Sequence, residues 1–121
     1  MLQPSITKHN FDLEERTLEF AKKVIRLCKK LPLNTINKEI VKQLIRSSGS
    51  VGANYREAND ALSKKDFCHR VKISRKEAKE SHYWLQLLEE ANHDFKDETR
   101  ELLQEAIELR KILSSIADKS S

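Results

Sequence analysis

Apolar residues recur at alternating spacings of three and four in four separate stretches of the chain, a pattern typical of helices that bury one face. The pattern predicts helices over residues 11–31, 37–62, 64–91 and 96–117, with flexible segments at both ends. Four amphipathic helices joined by short connections favour an all-α fold, an antiparallel up-down four-helix bundle that forms one domain over residues 1–121. The predicted inward-facing residues are Leu13, Thr17, Phe20, Val24, Leu27 and Leu31 in the first helix; Val41, Leu44, Ser48, Val51, Tyr55, Ala58 and Leu62 in the second; Phe67, Val71, Ser74, Ala78, Ser81, Leu85 and Leu88 in the third; and Leu102, Ala106, Leu109, Leu113 and Ile116 in the fourth.

Local signals mark the ends of these helices. Pro32 stops the first helix, because proline has no backbone N–H to continue the hydrogen-bonding pattern. Asn37 or Thr35 is expected to cap the second helix. Ser63 to Asp66 resembles a capping box, in which the serine side chain accepts a hydrogen bond from the third helical residue. The third helix therefore has the best-defined start.

Small residues line the middle of the second and third helices. Gly49 and Gly52 fall inside the apolar pattern of the second helix, and each costs about 1 kcal/mol relative to alanine in a helix interior. Ser74, Ala78 and Ser81 occupy the middle of the third helix. Small residues at facing positions let helices approach closely, so we predict that a neighbouring helix packs tightly over residues 47–53.

The first and fourth helices carry more apolar residues than one bundle core requires. Leu18 and Ile25 widen the apolar sector of the first helix, although a bundle helix needs only a stripe of about 100° or somewhat more. Leu103 and Ile107 lie to one side of the fourth apolar pattern. We assign these four residues to an interface between identical subunits.

Composition narrows the class of protein further. Charged residues make up 35% of the chain and hydrophobic residues 38%, and two glycines and two prolines are too few for the turns of an all-β fold. The longest apolar run is too short to span a membrane. The N-terminal residues show no basic-then-apolar signal region, so we predict a cytoplasmic protein with no membrane partner. Cys28 and Cys68 form no ligand motif and are expected to be reduced.

Charge is distributed unevenly behind the formal net value of +4. Residues 22–46 contain eight basic residues and one acid, a local net charge of +7. Residues 80–108 contain nine acids and two basic residues, a local net charge of −7. This asymmetry suits an anionic partner, or complementary packing of identical subunits.

Basic residues on the polar sides of the first and third helices are candidates for binding RNA or DNA, because rows of lysine and arginine bind phosphate backbones. The alternative is that these lysines only solvate the outside of the bundle. Tyr83 and Trp84 could stack on bases, although packing of Trp84 at a helix interface is the better expectation. The candidate nucleic-acid-binding residues are Lys22, Arg26, Lys29, Lys30, Lys65, Lys72, Arg75, Lys76 and Lys79.

A group of polar residues flanks the small residues of the second and third helices. Opposite charges at half-buried positions fix the register of neighbouring helices, and we favour this structural role over a binding pocket. The residues of this predicted polar cluster are Arg46, Asn54, Glu57, Arg70, Glu77 and Glu80.

Catalytic and metal chemistry find little support in the sequence. A di-iron bundle needs two facing Glu-x-x-His pairs, and only Glu90 with His93 fits that pattern. The nearest second candidate, Asp66 with His69, lies about 36 Å away along the same helix. Gly49 to Gly52 matches the GXXG loop of KH modules, but the surrounding strands that such a module requires are not predicted. We therefore predict no enzymatic activity, no cofactor and no metal.

The central segments RSSGSVGANYREAND (46–60), SKKDFCHRVKIS (63–74) and KEAKESHYWLQLL (76–88) resemble the bacterial four-helix-bundle family of ribosomal RNA intervening-sequence proteins. Ser74-Arg75 departs from the family pattern, which leads us to expect smaller or apolar residues there. The resemblance implies bundles that assemble into ring-shaped homopentamers, some of them encoded within insertions in the 23S ribosomal RNA gene, with no established catalytic residues. Similar bundles, the accessory proteins of diversity-generating retroelements, bind nucleic acid and a reverse transcriptase.

Together, the residues and the resemblance predict a non-enzymatic homo-oligomer, a pentamer by the resemblance, that binds nucleic acid through a basic face. The alternative is a scaffold that binds another protein, with charge serving only self-assembly. The two hypotheses differ in salt dependence, since binding through phosphates weakens steeply as salt rises.

Overall fold

The computed structural model describes the backbone of residues 5–121 and the side chains of residues 13–121. Its elements are α1 (Ser5–Lys30), α2 (Thr35–Asn59), α3 (Lys64–Ala91) and α4 (Lys96–Ser120), with one 3₁₀ turn at His93–Phe95. The prediction of an all-α bundle of four helices is confirmed.

Four predicted helix boundaries need correction by two residues or more, and one of them is the start of α2, which lies at Thr35 instead of 37. α1 begins at Ser5 instead of near residue 11, because residues 5–10 include no glycine or proline to break a helix. α2 ends at Asn59 instead of 62, since Ser63 must leave the helical conformation to cap α3. α4 continues to Ser120 instead of ending at 117, and the Ser120 hydroxyl donates a hydrogen bond of 2.7 Å to the carbonyl of Ile116. Residues 1–4 of the predicted flexible lead-in lie outside the described residues.

The caps of α2 and α3 are side chains that accept hydrogen bonds from backbone N–H groups. Ser63 accepts from the N–H of Asp66 at 3.0 Å, as the capping-box signal predicts. α2 is capped by Asn34, which accepts from the N–H of Asn37 at 2.8 Å. The prediction of Asn37 or Thr35 as the cap is therefore wrong, because α2 begins at Thr35, two residues before the predicted start at residue 37.

Asn37 has a different role, as half of a buried pair of side-chain amides. Its Nδ2 donates to the Oδ1 of Asn92 at 2.9 Å, and the Nδ2 of Asn92 donates to the Oδ1 of Asn37 at 2.8 Å. The same two nitrogens also donate to the carbonyls of Pro32 and Leu88. Because buried amides are costly unless they are hydrogen-bonded, this pair fixes the start of α2 against the end of α3.

Consecutive helices are antiparallel neighbours, and α1 also packs against α4. In each pair of helices, the contacting residue numbers rise along one helix as they fall along the other. Within residues 5–121, the diagonal pairs α1–α3 and α2–α4 do not approach closely. The contacts that establish the directions are Asn37–Asn92, Ser47–Ser81 and Asn54–Arg70 for α2 and α3, Arg16–Glu105 and Lys30–Glu98 for α1 and α4, and Cys68–Ala117 and Arg100–Glu89 for α3 and α4.

The core follows the predicted apolar pattern closely. Tyr55, Phe20 and Leu109 are among its largest fully buried side chains. The exception is Leu62, which is fully exposed because α2 ends three residues before it and the pattern continues only in sequence. Val41, Phe67 and Ile116 are half-buried and pack against the edge of the core.

The predicted close approach over residues 47–53 is made by α3 on one side of α2 and by α1 on the other. The hydroxyls of Ser47 and Ser81 lie 2.9 Å apart, and the Ser74 hydroxyl donates to the carbonyl of Val51 at 2.6 Å. Short side chains are necessary at these positions, because a larger one would separate the two helices.

The two glycines of α2 differ in what surrounds them. A Cβ at Gly52 would lie 2.9 Å from Thr17 Oγ1 and 3.2 Å from Thr17 Cβ, so α1 leaves no room for a side chain there. A Cβ at Gly49 would have nothing within 4 Å beyond its own helix. Close packing thus accounts for Gly52, and nothing in the described structure accounts for Gly49.

This difference provides a matched pair of substitutions. Gly49→Ala should raise the free energy of unfolding by up to about 1 kcal/mol, because alanine favours the helix and meets no neighbour. Gly52→Ala gains the same propensity but must displace the buried, β-branched Thr17, so we expect a net loss of about 1–2 kcal/mol. Urea unfolding followed by circular dichroism measures both changes.

Thr17→Ala provides the control for the assigned cause. In the double variant with Gly52→Ala, the combined loss should be smaller than the sum of the two single losses, because the clashing hydroxyl is absent. Equal stability changes for Gly49→Ala and Gly52→Ala would contradict the packing explanation.

Candidate nucleic-acid interface

Four lysines and one tyrosine form a row along the outer surface of α3, which we call the α3 stripe. Lys65, Lys72, Lys76, Lys79 and Tyr83 follow one another at helical spacings of seven, four, three and four, so they share one face. All five are exposed to solvent, and none of the lysines forms a salt bridge with another residue of the described chain. The stripe extends about 27 Å along the helix axis.

Arg75, the other predicted contact on α3, lies to the side of the stripe. Its side chain is half-buried. It precedes Glu89 by two heptads, and Glu89 accepts a hydrogen bond of 2.6 Å from Arg100 on α4. Arg75 therefore lies on the flank of α3 that faces α4, at the edge of the basic surface.

The four predicted contacts on α1 belong to a separate surface. Arg26 forms a salt bridge of 2.9 Å with Glu19 on its own helix, and Lys30 one of 2.9 Å with Glu98 on α4. Lys22 and Lys29 are exposed and form no salt bridge within the described residues. Because α1 and α3 are diagonal in the bundle, the nine predicted residues do not form one basic face on a single chain.

The opposite charges of α1 and α4 meet within one chain. Arg16 donates through Nε and Nη2 to the two carboxylate oxygens of Glu105, at 2.7 and 2.8 Å, and through Nη2 to Glu108 at 2.8 Å. Hydrogen bonds from Gln104 and Arg16 lower the pKa of the Glu108 carboxyl. These pairs cross an open groove of about 890 Å³ between α1 and α4. Sequence reasoning missed Arg16, because its partners lie about ninety positions away in the chain.

The predicted polar cluster separates into two parts on the α2–α3 flank. Arg46 forms salt bridges with Glu77 and Glu80, and Arg70 donates to Asn54 at 3.4 Å. Glu57 is exposed and forms no salt bridge in the described part of the chain. Five of the six residues thus connect α2 to α3, and Glu57 forms no salt bridge to α3 among the described residues.

Trp84 joins this cluster to the end of the α3 stripe. Its indole N–H donates to Glu80 at 3.0 Å, and its ring forms a T-shaped contact with the Tyr83 ring, with centroids 5.1 Å apart and planes at 75°. The hydrogen bond from Trp84, together with the Arg46 guanidinium, lowers the pKa of the Glu80 carboxyl. Trp84 is half-buried and packs against the core, whereas Tyr83 is 53% exposed.

The four predicted interface residues lie on two opposite sides of the bundle. Leu18 and Ile25, 37% and 47% exposed, share a flank of α1 with Glu14, which accepts a hydrogen bond from Asn59 on α2. Leu103 and Ile107 are half-buried and share a flank of α4 with Arg100, which bonds to α3. Ile45 on α2, 38% exposed, is a further exposed apolar residue, and the sequence analysis did not assign it because it lies outside the inward-facing pattern of the second helix.

The described residues were also compared with the requirements of a reactive thiol, a metal site and a membrane-spanning helix. Burial raises the pKa of the Cys28 thiol to about 11, so it is a poor nucleophile at neutral pH. Cys68 is buried, and its thiol donates to the carbonyl of Ala117 at 3.7 Å. Within the described residues, no three His, Cys, Asp or Glu side chains come together as a metal site would require. No helix described here is long and apolar enough to cross a membrane.

Comparisons with known proteins identify the fold and the family. Residues 9–115 match the family model described as 23S rRNA-intervening sequence protein. A crystal structure of a protein of unknown function from the S23 ribosomal protein family of Bacteroides thetaiotaomicron VPI-5482 is similar, with 35% sequence identity and a TM-score of 0.75. The similarity covers 87% of this chain and 97% of that one. A comparison with curated proteins gives no match.

The Trp84–Glu80 hydrogen bond predicts a local change in acidity. Trp84→Phe removes the N–H donor while keeping an aromatic ring, so the pKa of Glu80 should rise toward its usual value. A lowered carboxyl pKa stabilises the folded state above the unfolded-state pKa, and that contribution is lost as pH falls through the folded-state value. We therefore expect the free energy of unfolding of Trp84→Phe at pH 7 to be lower than that of wild type by about 1 kcal/mol or less. When the pH is lowered, the free energy of unfolding should fall less in Trp84→Phe than in wild type. A carboxyl NMR titration of Glu80 and urea unfolding at neutral and acid pH measure these effects.

Tyr83→Phe is the matched control, because it changes the neighbouring ring without touching the hydrogen bond. It should leave the Glu80 pKa unaltered. If Trp84→Phe also leaves that pKa unaltered, the indole is not what stabilises the Glu80 carboxylate.

Proposed function

The chain belongs to the family of 23S rRNA-intervening sequence proteins, and we propose that it is a non-enzymatic, homo-oligomeric bundle that binds nucleic acid through the α3 stripe. The observation that supports binding most directly is the row of four exposed lysines on one helix face, none of them held in a salt bridge by the described residues. Lysines in this state can replace the counterions of a phosphate backbone without first breaking a salt bridge.

The charges of the other helices explain why α3 is favoured over α1. Two of the four α1 candidates, Arg26 and Lys30, would have to give up salt bridges in order to contact phosphates. On α4, Glu98, Glu105 and Glu108 lie beside α1 and would repel a polyanion approaching that side. The α3 stripe faces away from this acidic surface.

Self-assembly is supported by the position of two pairs of apolar residues that the bundle does not bury completely, of which Leu18 and Ile25 are exposed and Leu103 and Ile107 are half-buried. A ring of identical subunits uses two different surfaces of each subunit, which contact each other in turn around the ring. Leu18 and Ile25 lie on the α1–α2 side of the bundle, and Leu103 and Ile107 lie on the α3–α4 side. Two apolar patches on opposite sides suit this head-to-tail arrangement better than a two-fold dimer.

A scaffold for another protein is the second candidate. Leu18, Ile25 and Ile45 expose apolar surface on neighbouring helices, and such surfaces mark protein interaction sites. In this case the lysines would serve only solubility, and nucleic-acid affinity would not depend on which lysines are removed.

Binding of phosphates by the α3 stripe predicts how steeply nucleic-acid affinity falls with salt concentration. Replacing Lys72, Lys76 and Lys79 together by glutamine removes three phosphate contacts, which should reduce the slope of log affinity against log salt by about 2. Fluorescence anisotropy with a labelled twelve-nucleotide single strand, repeated over a range of salt concentrations, measures the slope. We expect the affinity at low salt to fall steeply as well.

The control replaces Lys22, Lys29 and Lys42 by glutamine, which changes the net charge equally but on exposed positions of α1 and α2. It should leave the slope nearly unchanged. Equal losses for the two triple variants would indicate non-specific attraction to net charge, and no binding by wild type would refute the proposal.

The proposed self-assembly predicts a mass well above the 14.1 kDa of one chain. Ile25→Asn places a polar amide in the proposed contact and should lower the mass measured by light scattering. Ile36→Asn makes the same change at an isoleucine that is 64% exposed in the first turn of α2, outside the proposed contact, and should not. A wild-type protein of 14.1 kDa would contradict the assembly.

A further inference from the structure

Building on the proposed function, we infer that the α3 stripe binds a single strand of nucleic acid and that Tyr83 stacks on one of its bases. The lysines contact the phosphates, and the tyrosine ring contacts an unpaired base at the end of the row. This assigns a role to Tyr83 that a general basic surface would not require.

Tyr83 is both available and held in place. It continues the helical spacing of Lys72, Lys76 and Lys79, and 53% of its surface is exposed. Its ring meets that of Trp84 at 75°, and an edge-to-face contact of this kind occupies no more than one face of either ring, so at least one face of the Tyr83 ring is not covered by Trp84. Trp84 is itself fixed by its hydrogen bond to Glu80. A ring that is already ordered loses little conformational entropy when a base stacks on it.

The shape of the bundle favours a single strand over a duplex. The major groove is about 12 Å wide, which is the diameter of one helix with its side chains. α3 is packed against α2 on one side and α4 on the other, so it cannot enter a groove as an isolated recognition helix can. In a duplex the base faces are also stacked on one another, which leaves Tyr83 no ring to contact. An unpaired base has an open face.

Charge along α3 limits the length of the bound strand. Beyond Tyr83 the same helix face continues with Gln86 and the exposed Glu90, where the basic row ends. A strand that follows the four lysines would therefore leave the helix near Tyr83. We expect affinity to rise with strand length up to a few nucleotides beyond the four contacted phosphates and then to level off.

The test compares Tyr83→Leu with Tyr83→Phe, using labelled twelve-nucleotide DNA and RNA single strands and the corresponding DNA duplex. Tyr83→Leu keeps an apolar side chain but removes the ring, and should weaken single-strand binding by about 5- to 100-fold. Tyr83→Phe keeps the ring and should bind within about twofold of wild type. The salt dependence should be unchanged in both variants, because no phosphate contact is lost. Duplex binding should be weaker than single-strand binding and insensitive to either change.

Trp84 provides a direct optical signal, since it is the sole tryptophan of the chain and its ring contacts Tyr83. Its fluorescence should change when wild type binds the single strand, and change less in Tyr83→Leu. Far-UV circular dichroism confirms that both variants fold.

The outcomes separate this inference from the function on which it rests. If wild type binds single strands through the lysines and Tyr83→Leu binds as tightly, the stacking role is refuted and the basic surface remains. Equal affinity for duplex and single strand likewise overturns the inference alone. If wild type binds none of the three nucleic acids, the proposed function itself fails. Comparing DNA with RNA then identifies which backbone the stripe prefers.

Discussion

The structure depends most on the close approach of α2 and α3 through short polar side chains. Ser47 and Ser81 meet at 2.9 Å, and Ser74 donates to the backbone of α2 at Val51. These groups are fully buried, so each hydroxyl must find its partner within the bundle or incur the cost of an unsatisfied polar group. The contacts form at one relative position of the two helices and not at others. Sliding either helix by one turn would break both of these contacts between the helices.

The same register carries the polar network of the α2–α3 flank. Arg46 precedes Ser47 on α2, and Glu80 precedes Ser81 on α3, so the serine contact places this arginine and this carboxylate side by side. Glu80 in turn accepts the hydrogen bond from Trp84, whose ring contacts Tyr83. Interior packing is thus connected, through one exposed salt bridge and one indole, to an aromatic ring on the surface. Each exposed ion pair contributes little stability, so the role of the network is to set orientation.

Sequence periodicity was sufficient to predict the four helices and nearly all of the core, because burial of one helix face imposes the spacing of apolar residues. It was not sufficient where a decisive interaction lies far away in the chain. Leu62 continues the α2 pattern, yet it is exposed because the cap of α3 ends α2 first. Gly49 and Gly52 look equivalent in sequence, and only the position of Thr17 on α1 distinguishes them. The basic residues of α1 and α3 also look equivalent in sequence. In the structure they differ, because acids of α4 form salt bridges with basic residues of α1.

The salt bridges between α1 and α4 change the interpretation of the uneven charge distribution along the chain. In sequence, a basic segment and an acidic segment suggest attraction between subunits, but Arg16 and Lys30 already bind the α4 carboxylates of their own chain. The pairs bridge an open groove, and α1 packs less extensively against α4 than α2 does against α3. These charges therefore orient α1 relative to α4, where the two helices pack less extensively. Once these charges are assigned to the fold, the four lysines of the α3 stripe remain as a continuous row that forms no salt bridge with the described residues. Neighbouring lysines in such a row repel one another, and a bound polyanion would neutralise that repulsion. Nucleic-acid binding by the α3 stripe is therefore argued better from which charges are already paired within the chain than from the net charge of the chain.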